Sequence, residues 1–327
     1  MSELTKGPAV LPDEPSAPSA AVPATEETSP RAGTGAGERN EAGAAGLPQT
    51  TYWRVVRARF LQNRLAVVGL VIVVVLVLTA AVGPLLAPHD PSTQDLDHTM
   101  EGPSGEHWFG TDGLGRDLLS RLIAGTRLAL LIGLASIVLT CAIGVTLGAL
   151  AGYAGKWVDA VIMRTADVFL AFPLLVGAIA IILVTGQGVW PVIAALALFS
   201  WATVARLLRS SMLSVREADY VAAARALGAG HARIVLRHIL PNSMTPVLVY
   251  AAFNTGTAIV SVASLSFLGI GVAPGVPEWG NILAEGRQFI GVSDHLWAFP
   301  SLAIVLTVLA FVFVGDGLRD ALDPKLH

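Results

Sequence analysis

The sequence runs to 327 residues, 54% of them hydrophobic and 14% charged, with a mean hydropathy of +0.65 and a net charge of -3. Soluble domains carry about 25% charged residues, so this balance excludes an ordinary water-soluble domain and points to lipid as the solvent. The single cysteine, Cys141, excludes an intrachain disulfide and a cysteine-based metal cluster. The seven histidines form neither a His-x3-His pair nor a His-Glu-x-x-His run, so no metal and no cofactor is expected.

Residues 1–50 are expected to form a disordered cytoplasmic tail. They are built from Ala, Pro, Gly, Ser, Thr and Glu, with Val10, Leu11, Val22 and Leu47 almost the only aliphatic side chains. Such a segment buries too little apolar surface to offset its ordering entropy. No apolar core of about 7–15 residues follows the start, so it does not read as a secretory signal. The plain reading is a solvated extension; a binding segment is the alternative.

Residues 51–327 read as an all-α transmembrane domain. A bilayer core of about 30 Å needs about 20 apolar residues in a helix. Six stretches meet that, at about 65–86, 128–151, 162–184, 189–208, 244–270 and 296–314. An even number of spans puts both termini on one side. With the N-terminus inside, 17 Lys and Arg fall on inside segments and 4 (Arg116, Arg121, Arg127, Arg287) on outside loops. The cluster Arg54, Arg57, Arg59, Arg64 before the first span sets the entry direction, so both termini are expected in the cytoplasm.

Several membrane-segment residues have two readings each. Gly144, Gly148 and Gly152 form a small-residue stripe that permits close helix approach, within this chain or against a partner. Arg164 and Asp167 are placed to meet on one helix face, as an anchor near the cytoplasmic end or as part of a gate. Asn254, Thr255 and Thr257 either line a polar path or bond between helices.

Two loops remain. The outside loop, about 88–127, carries seven acids against three arginines. Phe109–Gly115 is glycine-rich, reading as a structural turn or a contact with a delivering protein. No Gly-x4-Gly-Lys-Ser/Thr run occurs, so ATP is not expected to bind here. The inside loop, about 212–241, is basic. Tyr220–Leu227 is a strong helix former, Gly228 stands where a helix-stopping C′ glycine would, Ala232–Ile239 restarts a helix, and Pro241 breaks it or starts the next segment. On physics alone these basic residues either set topology only or face an acidic partner or lipid headgroups.

Ala223-Ala224-x3-Gly228-x11-Leu240-Pro241 resembles the cytoplasmic loop of ABC-importer permeases that begins Glu-Ala-Ala. Here Ala222 stands in place of the frequent Glu, and His238 in place of the frequent Ile. His107-Trp-Phe-Gly-Thr-Asp-Gly-Leu-Gly-Arg-Asp117, Ser266-Phe-Leu-Gly269 with Pro277 and Trp279-Gly280, and Gly315–Pro324 resemble signatures of the dipeptide, oligopeptide and nickel permeases, C-type subunit. The resemblance spans about 52–326. It implies a type I ABC-importer permease architecture in the bacterial inner membrane. It also implies a helix–turn–helix whose Ala222, Ala223, Ala224, Gly228, Leu240 and Pro241 couple to an ATPase. Phe109, Gly110, Thr111, Asp112, Gly115, Arg116 and Asp117 become an extracytoplasmic family motif. The implied partners are a B-type permease, two ATP-binding subunits and an extracytoplasmic binding protein; no nucleic acid is implied.

The implied function is import of peptides, with nickel or another small solute as the alternative, and no catalysis on this chain. An intramembrane protease would need a Ser/His pair, a His-Glu-x-x-His motif or paired acids, and none is evident. A secondary carrier would normally show internal repeats, which are also not evident.

Overall fold

A computed structural model describes residues 49–322. The expected tail lies outside these except for Gln49 and Thr50, which begin α1 (Gln49–Gln62). Lys325, used in the charge count, and Asp323-Pro324 of the last motif also lie outside. The described residues are helical apart from loops and one isolated β-bridge, Thr111 to Asp117.

After α1, Asn63 caps α2 (Arg64–Leu86), its Oδ1 accepting from the amides of Leu65 and Ala66 at 3.1 and 3.2 Å. Val71, Val75 and Leu78 on α2 are exposed, which suits a helix facing lipid rather than protein. The next helix, α3 (Leu118–Ala154), starts ten residues before the expected 128. Asp117 caps it, and Arg121 and Arg127 are carried on the helix instead of ending it. Its 37 residues span about 55 Å at about 1.5 Å each, more than a bilayer core, so one end projects.

The expected third span, 162–184, is not one straight helix. It is α4 (Lys156–Ala171) and α5 (Leu174–Thr185), bent by 90°. Pro173 lacks an N–H and disfavours helical geometry at its predecessor, and Phe172 sits at φ -91°, ψ 133°. The chain continues as α6 (Val189–Arg216), α7 (Asp219–Ala226), α8 (His231–Ile234), a π-helical turn Val235–Ile239, and α9 (Leu240–Ser243). It ends with α10 (Thr245–Phe267), a short α11 (Trp279–Gly286) and α12 (His295–Leu322).

The central helix is α6, which packs on α3, α4, α5 and α10. The glycine stripe makes this possible. A β-carbon at Gly144 would lie 2.5 Å from Val204 Cβ, and one at Gly148 would lie 2.6 Å from the Ala205 carbonyl oxygen. The stripe therefore serves packing within the chain. Around it α10 packs on α12 and α3, α2 packs on α12, and α1 lies along α12 through Val56, Ala321 and Leu322.

Candidate functional site

Chemistry-bearing residues gather in three places: the basic loop after α6, a small cavity between membrane helices, and the acidic loop ahead of α3.

The basic loop is a helix–turn–helix. Leu227 ends α7 and Gly228 takes φ +80°, a conformation costly for a residue with a β-carbon. Nothing lies within 4 Å of where that β-carbon would be, so the requirement is one of backbone alone. Val221, Ile234 and Ile239 are buried against Val204, Leu208, Met212 and Val247, which fixes the unit to α6 and α10. Ala222, Ala223 and Gly228 are exposed, Ala224 is half-buried, and Leu227 is 88% exposed. Leu240 is half-buried and Pro241 exposed. Pro241 does not break the helix. The π turn ahead of it, in which the Leu240 amide bonds the Val235 carbonyl, widens the backbone. The Asn242 and Ser243 side chains then donate to the carbonyls of His238 and Ile239 at 2.6 and 2.8 Å.

Beside this loop, α4 and α6 are cross-linked by Asp159 with Arg209 and by Asp167 with Arg206. The expected Arg164–Asp167 pair is only a loose 3.9 Å contact with Arg164 87% exposed. Asp167 turns to the neighbouring helix, a partner that spacing along one helix does not reveal.

Ser136, Thr140, Ser200, Tyr250, Asn254 and Thr257 line a cavity of about 40 Å³ between α3, α6 and α10. Asn254 Nδ2 donates to the Tyr250 carbonyl at 3.0 Å and Thr255 Oγ1 to the Ala251 carbonyl at 2.8 Å. Both bonds stay within α10; Asn254 and Thr257 line the cavity, while Thr255 is buried outside its lining.

The acidic loop is folded back into a braced knot. Gly115, at φ +72°, passes so close to the Asp95 carbonyl that no β-carbon fits. Thr111 Oγ1 donates to the His98 carbonyl and accepts from the Glu101 amide. Asp112 accepts from the amides of Leu114 and Arg116, from Arg116 Nε at 2.7 Å, and from Arg121. Arg116 and Arg121 both reach Glu285 on α11, at 2.7 and 2.6 Å. Two acids and two arginines, three of them buried, thus tie the loop to α11. Phe109 stacks on Phe299 of α12 at 4.1 Å, next to Gly110. Asp117 caps α3 through Oδ2, which accepts from the Ser120 amide at 2.8 Å, and Oδ1 meets His107 Nδ1 at 2.9 Å. Burial pushes the Asp117 carboxyl up, but the bonds from Ser120 and His107 outweigh it and leave its pKa lowered. Glu278 caps α11, accepting from Gly280 and Asn281; burial dominates there and its pKa is raised.

All seven motif residues therefore fall in one place, the structural turn. Sequence reasoning missed Glu285, Glu278, His89, Arg209 and the protruding Leu227. Of these, Leu227 stands beside Gly228 and Glu278 between Pro277 and Trp279, all residues that the motifs single out.

Residues 144–327 match the family model described as binding-protein-dependent transport system inner membrane component, and residues 51–103 match the N-terminal TM domain of oligopeptide transport permease C. The chain is 46% identical over 277 residues to a glutathione transport system permease protein GsiD of Pectobacterium atrosepticum, covering 84% of this chain and 92% of the relative. It is 42% identical over 274 residues to a dipeptide transport system permease protein DppC of Alkalihalophilus pseudofirmus, covering 84% and 90%. Its fold is similar to a chain of the inward-facing MetNI methionine ABC transporter, with TM-score 0.53 and 19% identity over 63% of this chain and 98% of that one.

Proposed function

The chain belongs to the binding-protein-dependent transport system inner membrane components, the permease subunits of ABC importers, and from that premise we propose that it imports short peptides, glutathione among them. It is a multi-pass, non-catalytic subunit of the bacterial inner membrane. Its family works with ATP-binding subunits and a substrate-binding protein. On our reading the basic loop faces the cytoplasm and the acidic knot faces outside, with a B-type permease completing the pore. The peptide reading rests on relatives that carry peptide and glutathione transport names at over 40% identity across most of both chains.

The observation that carries the mechanism is the protruding turn of Ala222, Ala223, Leu227 and Gly228. Exposed small and apolar residues on a rigid mount suit docking into a cleft on an ATP-binding subunit. The mount is rigid because Val221, Ile234 and Ile239 lock it to α6 and α10. A push on the turn then reaches the two helices that line the polar cavity with Ser200, Asn254 and Thr257. The ATPases would bias an inward–outward equilibrium this way. The acidic knot acts as a brace, since its motif side chains bond the loop's own backbone, the start of α3 and Glu285 on α11.

Uptake of labelled dipeptide, longer peptide, glutathione and Ni²⁺ by a strain deleted for this gene tests the cargo. Loss of peptide or glutathione uptake, restored by the full chain, is the expected result. Loss of nickel uptake alone would overturn the peptide reading.

A further inference from the structure

His89 follows α2, His107 lies in the acidic loop, and Asp117 caps α3. The fold brings one ligand atom of each within 4.8 Å of the others. His107 Nδ1 is 2.9 Å and His89 Nδ1 is 3.7 Å from the same oxygen, Asp117 Oδ1. The two imidazole rings lie 4.7 Å apart.

We propose that His89, His107 and Asp117 form a binding site for a divalent transition-metal ion of the zinc class. In a tetrahedral zinc site with bonds of about 2.0–2.1 Å, neighbouring ligand atoms stand about 3.3 Å apart. The separations of 2.9 and 3.7 Å bracket that value. Asp117 is divided between two tasks, because Oδ2 is committed to the α3 cap and Oδ1 faces the histidines. Without an ion, His107 takes Oδ1 and the buried His89 Nδ1 has no hydrogen-bond partner. Such orphaned polar atoms are rare in folded proteins. A cation bound to both Nδ1 atoms and Oδ1 satisfies all three.

The surroundings hold this geometry. Ser120 Oγ accepts from the His89 amide at 3.1 Å, and Ser104 Oγ accepts from the His107 amide at 3.0 Å, so both histidine backbones are fixed. The Asp117 side chain is 1% exposed, while His107 is 15% and His89 35% exposed, which leaves one side open for a water ligand. Two imidazoles and one carboxylate select zinc, copper or nickel over magnesium or calcium, which take oxygen ligands. The bound ion would clamp the end of α2 to the start of α3, beside the Arg116–Glu285 brace.

The full chain, purified without a polyhistidine tag in lipid nanodiscs and stripped with a chelator, is titrated with Co²⁺ and then Zn²⁺. Visible Co²⁺ bands report a low-coordinate site, metal analysis gives stoichiometry, and thermal unfolding reads stabilisation. The wild type is expected to hold one ion more than His89→Gln and His107→Gln, with bands that Zn²⁺ bleaches. Loss of a neighbour that merely orients a ligand costs about 10–100-fold in affinity, so loss of a ligand should cost at least about 100-fold. Zn²⁺ should raise the unfolding temperature of the wild type and of His98→Gln, a control on the same loop, and not of the two variants. If a variant fails to fold, Asp117→Asn, which keeps a capping oxygen, replaces it. Equal binding by wild type and His89→Gln, or no bands in the wild type, overturns the site.

Discussion

Leu227→Asp and Gly228→Ala separate a docking role for the α7 turn from a merely structural one. Leu227 is 88% exposed, so replacing it removes almost no contact within the chain. Buried against a partner, a leucine side chain contributes about 1.5–3 kcal/mol, and 1.4 kcal/mol is about tenfold in affinity. Leu227→Ala should therefore weaken association with the ATP-binding subunit by roughly 10-fold or more, and Leu227→Asp by more again, because it also buries a charge. Gly228→Ala adds a β-carbon that meets nothing within 4 Å of this chain. Its internal cost is the left-handed backbone, about 1–2 kcal/mol. The assay is co-purification of the ATP-binding subunits from membranes, with uptake and the unfolding temperature of the isolated permease measured in parallel. Both variants should insert and lose ATPase association and uptake, Leu227→Asp melting nearly as wild type and Gly228→Ala a few degrees lower, by about 2–4 °C per kcal/mol of its strain. Full uptake by Leu227→Asp with the ATPases still bound would refute the reasoning.

Arg121→Met leaves Asp112 and Glu285 sharing Arg116 alone; because Glu285 is one-third exposed, the cost should fall at the low end for a broken buried pair, about 3 kcal/mol, read as a lower unfolding temperature. Gly148→Leu overpacks the α3–α6 contact and should destabilise by about 1–3 kcal/mol or more in the same measurement, whereas Gly155→Ala, with open space around it, should cost only backbone strain. Glu278 has a raised pKa from burial, so the folded state holds its proton more tightly than the unfolded one; stability from this group is complete below the ordinary carboxyl range and is lost as pH rises through the folded value. Glu278→Gln keeps the α11 cap, so its unfolding temperature should gain on the wild type as pH rises from 4 to about 8; a gap that shrinks instead would show that the carboxyl is stabilised in its ionised form.

Much was legible in the residues themselves. Apolar runs of span length mark helices because a bilayer leaves backbone groups no other partner, and the motifs around Gly228 and Asp117 were readable as ordered strings. Helix ends and bends were read less well. The start of α3 at Leu118 depends on Asp117 as a cap, and charges on Arg121 and Arg127 were mistaken for a boundary. Pro173 was visible, but a proline permits either a kink or a continuous helix, and the 90° turn is decided by how α4 and α5 pack on α6.

By itself the sequence determined the lipid solvent, the helical class and the two loops, since these follow from composition and from neighbours a few residues apart. Only the tertiary structure decided who pairs with whom. Asp167 left Arg164 for Arg206, Glu285 joined a knot whose other members lie in the acidic loop, and His89 met His107 and Asp117 across a folded loop. Ion pairs and ligand sets depend on distances of a few ångströms between atoms far apart in the chain. No spacing along the sequence encodes those until close packing at Gly144, Gly148 and Gly115 sets how near the segments come.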